Sequence, residues 1–228
     1  MISKILLQKS KDKVPEYVVN MIKANLMDDW QYINYINGDE IKFFNDNPLD
    51  EFPNIVTQFN SIEKQQHKAD LFRYYYLYIK GGVYLDSDAM IQDNIMNIIK
   101  EYDFVTVNGF NKGTIFNGFI ATTPMHPIMY EALKNIYNMS VKLLKVDYFA
   151  PCKFLYTCLL TKKYDNIFIY NEYIANGIGY TYDKDRMCLV KHYPVTKIIP
   201  QLSEDTVLVP TRVGWSSSIL KKFAYYKK

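Results

Sequence analysis

The chain has 228 residues, 49% of them hydrophobic and 22% charged, with a formal net charge of +3. That is enough apolar material for one substantial core and crowded for two independent catalytic domains, so a single domain over 1–228 is expected. The composition excludes a disordered acidic or basic tail protein, and no stretch approaches the roughly 20 uncharged apolar residues of a membrane span.

Lys4, Lys9 and Lys11 break up the apolar run that a signal peptide needs, so a soluble, cytoplasmic protein without a transmembrane segment is expected. The basic excess is spread along the chain, which argues against a nucleic-acid groove and suits a small anionic substrate. Cys152, Cys158 and Cys188 lack CxxC spacing, and the first two lie in an apolar stretch; they read as buried free thiols.

In chain order, Ile2 to Gln8 reads as a short strand, and Val14-Pro15-Glu16 opens a helix with Val18, Val19, Ile22 and Leu26 at helical spacing. Trp30 to Ile36 alternates before a turn at Asn37-Gly38-Asp39. Strand, helix, strand is the opening of a parallel-sheet α/β domain. Lys68 to Lys80 is apolar on nearly every helical face apart from Asp70 and Arg73, so a deeply packed helix is predicted, stopped by Gly81-Gly82. Val83-Tyr84-Leu85 then runs as a buried strand into Asp86-Ser87-Asp88, where open α/β sheets place their ligands. Farther on, Phe104 to Val107 and Ile115 to Thr122 read as strands around Asn108-Gly109. Pro127 starts a helix, Asp147 onward is helical before a strand at Ile167 to Tyr170, and short β-like runs follow Gly179.

In an extended segment residues i and i+2 point the same way, so Asp86 and Asp88 would present two carboxylates to one point. Like charges that close call for a cation, and hard oxygen ligands suit Mg²⁺ or Mn²⁺ shared with a diphosphate. A solvated turn after a strand is the plainer alternative. Asp70 and Arg73, three residues apart, share one helix face; they can form an internal salt bridge, or bind sugar hydroxyls and phosphate.

The run Ala69-Asp70-Leu71-Phe72-Arg73-Tyr74, then Leu77-Tyr78 and Gly81-Gly82-Val83-Tyr84-Leu85-Asp86-Ser87-Asp88, resembles the donor-sugar-binding region of glycosyltransferase family 32. That family includes capsular polysaccharide synthesis enzymes and fungal initiating α-mannosyltransferases. The resemblance implies an α/β fold of the GT-A type, with a mainly parallel central sheet flanked by helices. It implies a nucleotide-sugar donor, UDP- or GDP-linked, a glycan or protein hydroxyl as acceptor, and Mn²⁺ or Mg²⁺ as cofactor. By the same resemblance Asp70 and Arg73 hold the donor sugar, Tyr84 belongs to the donor-binding motif, Asp86 contacts the nucleotide sugar, Asp88 is the principal metal ligand and Asn117 approaches the sugar. The family often has a His shortly before a terminal Ser-Trp. Here Gly214-Trp215-Ser216 reverses that pair, and His192 is the nearest upstream histidine for the remaining metal position. The family's usual His before Gln is replaced by Leu7 before Gln8.

By side-chain type alone, His67, His126 and His192 lack metal-ligand spacing, and a capping or surface role is expected for each. Trp215 either anchors the C-terminal segment or donates its indole N–H to a diphosphate oxygen from a closing lid. Exposed tyrosines can stack on an acceptor sugar. The resemblance implies transfer with retention, and the matched stretch offers no obvious base for an inverting displacement. Two rivals stand beside the transferase: a non-catalytic sugar- or nucleotide-binding module, and a metal-dependent phosphohydrolase.

Overall fold

The apolar start forms strand β1 (Ile5–Lys9), followed by helix α1 (Glu16–Lys23), which buries Val18 and Ile22, and by β2 (Gln31–Tyr35). The structure is a computed structural model and describes residues 1–175, 178–184 and 188–192. Helices α2 (Asp39–Asp46) and α3 (Ile55–Ser61) come next, short elements that the sequence reading did not single out. The expected buried helix is α4 (Gln65–Lys80).

Gly81 and Gly82 then adopt φ of 63° and 96°. A Cβ on Gly81 would lie 2.7 Å from the Pro124 ring, and one on Gly82 2.7 Å from the Ile5 carbonyl oxygen. Only glycine permits both this backbone and this approach, so the turn into β3 (Gly82–Leu85) is tight and closely held against β1.

The remaining elements are β4 (Ala89–Ile91), α5 (Ile95–Ile99), β5 (Phe104–Asn108), β6 (Ile115–Thr122), α6 (Pro127–Asn138), α7 (Val141–Val146), α8 (Ala150–Thr161), β7 (Ile167–Ala175), β8 (Ile178–Tyr182) and β9 (Cys188–His192). The strands lie in the order β2-β1-β3-β6-β5-β7-β8-β9-β4. β1 runs parallel to β2 and β3, and β5 runs parallel to β7; the five other pairings are antiparallel. The sheet is therefore mixed, a correction to the expected mainly parallel one. The short β5–β6 connection can only reverse the strand, and β6 then inserts between β3 and β5.

Neighbouring residues along the inner strands feed opposite faces of the sheet, as the period of two requires. Leu7, Tyr84, Phe104 and Ile120 pack with α2, α3, α4, α6 and α8. Leu6, Val83, Leu85, Val105, Val107, Phe119 and Ala121 pack with α1 and α5 on the other side. A strand buried on both faces reads as a continuous apolar run, which is how Val83-Tyr84-Leu85 reads. The result is an α/β architecture, a mixed sheet covered by helices on both faces, with the inner strand β3 ending at Asp86. Among the described residues no helix is long and apolar enough to cross a membrane.

Candidate active site

On α4, Gln66, Asp70 and Arg73 recur at spacings of four and three and share the face turned to a cavity of about 270 Å³. Aromatic packing sets the rotation of that helix. Phe72 meets Tyr35 and Phe43 with ring centroids 5.0 and 5.7 Å apart, and Tyr75 meets Phe44 at 5.0 Å. Each such pair contributes about 0.5–1.5 kcal/mol beyond burial, so several together hold the polar face toward the cavity.

Asp70 and Arg73 are 6% and 4% exposed. Arg73 Nε is 3.6 Å from Asp70 Oδ1, so the internal ion pair is present, and both side chains still line the cavity. Asn117 Nδ2 donates to Asp70 Oδ1 at 3.0 Å, the guanidinium donates to the Asn117 carbonyl, and Arg73 Nη2 lies 3.2 Å from Asp86 Oδ1. Asn117 Oδ1 is buried without a partner. His67 corrects the sequence expectation: it neither caps nor lies on the surface but is fully buried, Nδ1 3.2 Å from Asp70 Oδ2, because it sits three residues earlier on the same helix face. His126 does cap, its Nδ1 accepting the Ile128 N–H at the start of α6.

Asp86 follows β3, and its N–H donates to the Gly118 carbonyl at 2.8 Å. The Ala89 N–H closes onto the Asp86 carbonyl at 2.9 Å, so Asp86-Ser87-Asp88 is a tight turn and not the extended segment expected. The chain must reverse there because β4 leaves to pair with β9. Both carboxylates nevertheless line the cavity. Gly118 makes room for one of them: a Cβ there would lie 2.7 Å from Asp86 Oδ2.

Tyr84 is fully buried, so the expected donor contact is corrected to a supporting one. Its hydroxyl donates to Asp86 Oδ1 at 2.9 Å, and the Arg73 guanidinium lies 4.2 Å over its ring. Gln8, also buried, donates through Nε2 to the Asp86 carbonyl at 3.1 Å and accepts the Tyr32 hydroxyl at 2.8 Å. Cys152 is a free thiol on the cavity wall, while Cys158 and Cys188 are buried as expected.

The β4–β9 pairing sets His192 opposite Ala89 and so brings it to Asp88, Nε2 to Oδ2 3.8 Å. Its Nδ1 is 3.0 Å from Glu172 Oε1, and its ring lies 4.3 Å from that of Phe116. Glu172, on β7, is buried and also accepts the Phe110 N–H at 3.2 Å. A Cβ on Gly179 would fall 2.2 Å from Glu172 Oε1, so the bare backbone of β8 is what leaves room for that carboxylate. Sequence reasoning did not single out Glu172. The signal available was a lone acid within an otherwise apolar strand, where burial demands a partner. Trp215, read as a donor contact, and the segment from Gly214 lie outside the described residues.

Burial works against a charged His192, but the carboxylates of Asp88 and Glu172 outweigh it and push its pKa from 6.5 up to about 10. A folded pKa above the unfolded one gives stability that is complete below about pH 6.5 and is lost as pH rises toward 10. We expect the urea midpoint of the metal-free protein to fall across that window. Glu172→Gln, which removes one counter-charge, should flatten the fall; an equally steep profile would rule out the Glu172–His192 contact as its source.

Asp86 is pushed up by burial, drawn down by Arg73 and pushed up again by Asp88. Two carboxylates facing one cavity are short of positive charge, and hard oxygen donors of this kind fit Mg²⁺ or Mn²⁺. No three His, Cys, Asp or Glu side chains among the described residues form a ready metal cluster, so the described residues offer the two carboxylates, with His192 beside Asp88.

A buried Asp–Arg pair on a helix, facing paired carboxylates at the end of an inner strand, gives this α/β protein a polar cavity whose side chains are able to meet hydroxyl and phosphate groups. Residues 7–105 match the family described as "Glycosyltransferase sugar-binding region containing DXD motif". The chain is 26% identical over 207 residues to inositol phosphoceramide mannosyltransferase 1 of Schizosaccharomyces pombe, covering 88% of this chain and 56% of that protein. It is 29% identical over 105 residues to an uncharacterized glycosyltransferase of Acanthamoeba polyphaga mimivirus, covering 44% of this chain and 40% of the relative. The chain thus spans about half the length of the curated relatives it matches. Among solved structures, PaToxG Glycosyltransferase aligns with 70% of this chain and 68% of its own at 16% identity, with a TM-score of 0.46.

Proposed function

We propose that the chain is a metal-dependent, retaining glycosyltransferase that moves a hexosyl group from a UDP- or GDP-linked donor to a hydroxyl of an acceptor glycan or glycoconjugate. The observation that carries this is the single network in which Arg73 joins Asp70, Asn117 and Asp86 on one cavity wall. Asp70, Arg73 and Asn117, all on the cavity wall, offer the kinds of donor and acceptor that fix sugar hydroxyls. Asp86 and Asp88 would hold Mn²⁺ or Mg²⁺, and His192 beside Asp88 would join them as a nitrogen ligand only by giving up its ring proton. When bound, that ion neutralises charge on the departing diphosphate. The cavity, about 270 Å³, suits the sugar-phosphate part of a donor, at the small end of ligand pockets. Two fungal relatives are named as mannosyltransferases acting on an inositol-bearing acceptor, so a GDP- or UDP-linked hexose and a ring hydroxyl are the first pair to test.

The engagement of the wall carboxylates other than the two assigned to the metal supports retention. Asp70 is tied to His67, Asn117 and Arg73, and Glu172 to His192 and the Phe110 N–H, so neither is free to take a proton from an incoming hydroxyl. The test is release of nucleoside diphosphate from a panel of nucleotide sugars with Mn²⁺ or Mg²⁺, followed by NMR of the product linkage. An α product from an α-linked donor is expected. A β product would overturn retention, and release of phosphate from simple esters with nucleotide sugars untouched would overturn the transferase reading.

A further inference from the structure

Aromatic side chains make up 16% of this chain, and the sheet and helix layers bury or half-bury nearly all of those among the described residues. Among the described residues only two Phe, Tyr or Trp side chains are exposed, Phe110 and Tyr148, each at 54%, and both line the same cavity as Asp70 and Asp86. Exposed aromatic rings scattered over a surface need no explanation, but exposure confined to the wall of one polar cavity marks a ligand contact.

Neither ring is on a loose loop. Phe110 sits in the β5–β6 connection, which is closed by the Gly109 N–H to the Thr114 carbonyl at 2.9 Å and by the Thr114 hydroxyl to the Asn111 carbonyl at 2.6 Å. The Phe110 N–H itself is fixed by buried Glu172 at 3.2 Å. Tyr148 lies between α7 and α8, its ring edge-on to Phe149 at 4.9 Å and 6.2 Å from buried His67. The next N–H, that of Phe149, is held by Asp147 at 2.9 Å. Two rings pre-positioned at the mouth, with a hydroxyl-binding wall behind them, suit a ligand that has an apolar CH face and polar edges.

The place of Phe110 beside the sheet points to the ligand, and Tyr148 faces the same cavity from the helix layer. The parallel strands β1 and β2 lie on one side of β3 and its Asp86, whereas β6 and β5 lie on the other, and Phe110 belongs to the second side. β5 also has a parallel partner in β7, but only β1 is paired in parallel with β3, the strand that runs into Asp86; a nucleotide lying over β1 and β3 would leave the β5–β6 side to the second substrate. We infer that Phe110 and Tyr148 form an acceptor subsite that stacks on the face of a saccharide or cyclitol ring. This rests on the proposed transferase reading and specifies its acceptor.

The test measures the acceptor and donor separately. With methyl α-mannoside and myo-inositol as probes, Phe110→Ala and Tyr148→Ala should each raise the acceptor KM about tenfold, the scale of one lost aromatic contact, with a donor KM shift of less than about twofold on the same scale. Phe110→Tyr and Tyr148→Phe, which keep the rings, should stay near wild type. Saturation-transfer NMR with the same two probes reads the subsite without turnover and should lose most of its signal in the double alanine variant. If the wild type transfers nothing yet binds the probes through these rings, the transferase reading fails and the subsite stands. An unchanged acceptor KM and NMR signal in the alanine variants would overturn the subsite, and so would a rise confined to the donor KM, which would assign the rings to the base.

Discussion

Asp88→Asn is expected to lower release of nucleoside diphosphate from a nucleotide sugar at least about a hundredfold while the protein stays folded. The carboxylate faces the cavity, and unlike Asp86 it has no buried guanidinium against it; its cationic neighbour is His192 at 3.8 Å. Asparagine keeps the shape and removes one full ligand charge from the position where a divalent ion would sit. The leaving diphosphate then develops its charge with less compensation, a loss of roughly 3 kcal/mol in the transition state. Chelation by EDTA should reproduce the effect in the wild type. The melting temperature should change little, because removing one of two facing carboxylates relieves their repulsion while costing the His192 contact. Metal-independent release, or undiminished release by Asp88→Asn, would remove the central assignment.

How far the site was legible from the chain depends on the range of each contact. Asp70 and Arg73 were readable because two charges three residues apart on an otherwise apolar helix are conspicuous, and Gly81-Gly82 before a buried apolar run fixed where the next strand begins. The carboxylates of Asp86 and Asp88 were correctly brought together but for the wrong local reason. A period-two argument presumes an extended chain, and the structure achieves the same convergence through a turn whose Ala89 N–H returns to the Asp86 carbonyl. Contacts made by remote strands left no local trace. His192 reaches Asp88 only because β4 pairs with β9, and Glu172 reaches His192 only across β8 at Gly179. His67 was misread by the opposite error. It stood one turn from Asp70, within reach of helical spacing, and its weighing as an isolated histidine hid that pairing. The mixed sheet was likewise invisible, since the strand-helix-strand opening governs only β1, β2 and β3 and says nothing of the β5–β6 hairpin.

Arg73→Met should be the most damaging single change to the fold. The guanidinium is 5% exposed and faces Asp70, Asp86 and the Asn117 carbonyl, with the Tyr84 ring beneath it. Burial opposes its charge, yet Asp86, Tyr84 and Asp70 together hold it more firmly protonated than a free arginine. Methionine fills part of the volume but leaves buried Asp70 and half-buried Asp86 without their guanidinium, and breaking a buried pair this way costs about 3–5 kcal/mol. For a chain of this size that is a fall of roughly 10 °C in melting temperature. Arg73→Lys should recover only part of it, since an ammonium is a point charge and cannot reach Asp86 and the Asn117 carbonyl with a planar fork. The cause can be isolated by a double-mutant cycle. Asp86→Asn alone should also destabilise, because Arg73 then loses a counter-charge, whereas Asp86→Asn added to Arg73→Met should restore stability by removing one orphaned carboxylate. Strictly additive losses in that cycle, measured by urea unfolding, would show that Arg73 and Asp86 do not form the coupled pair on which the site is built.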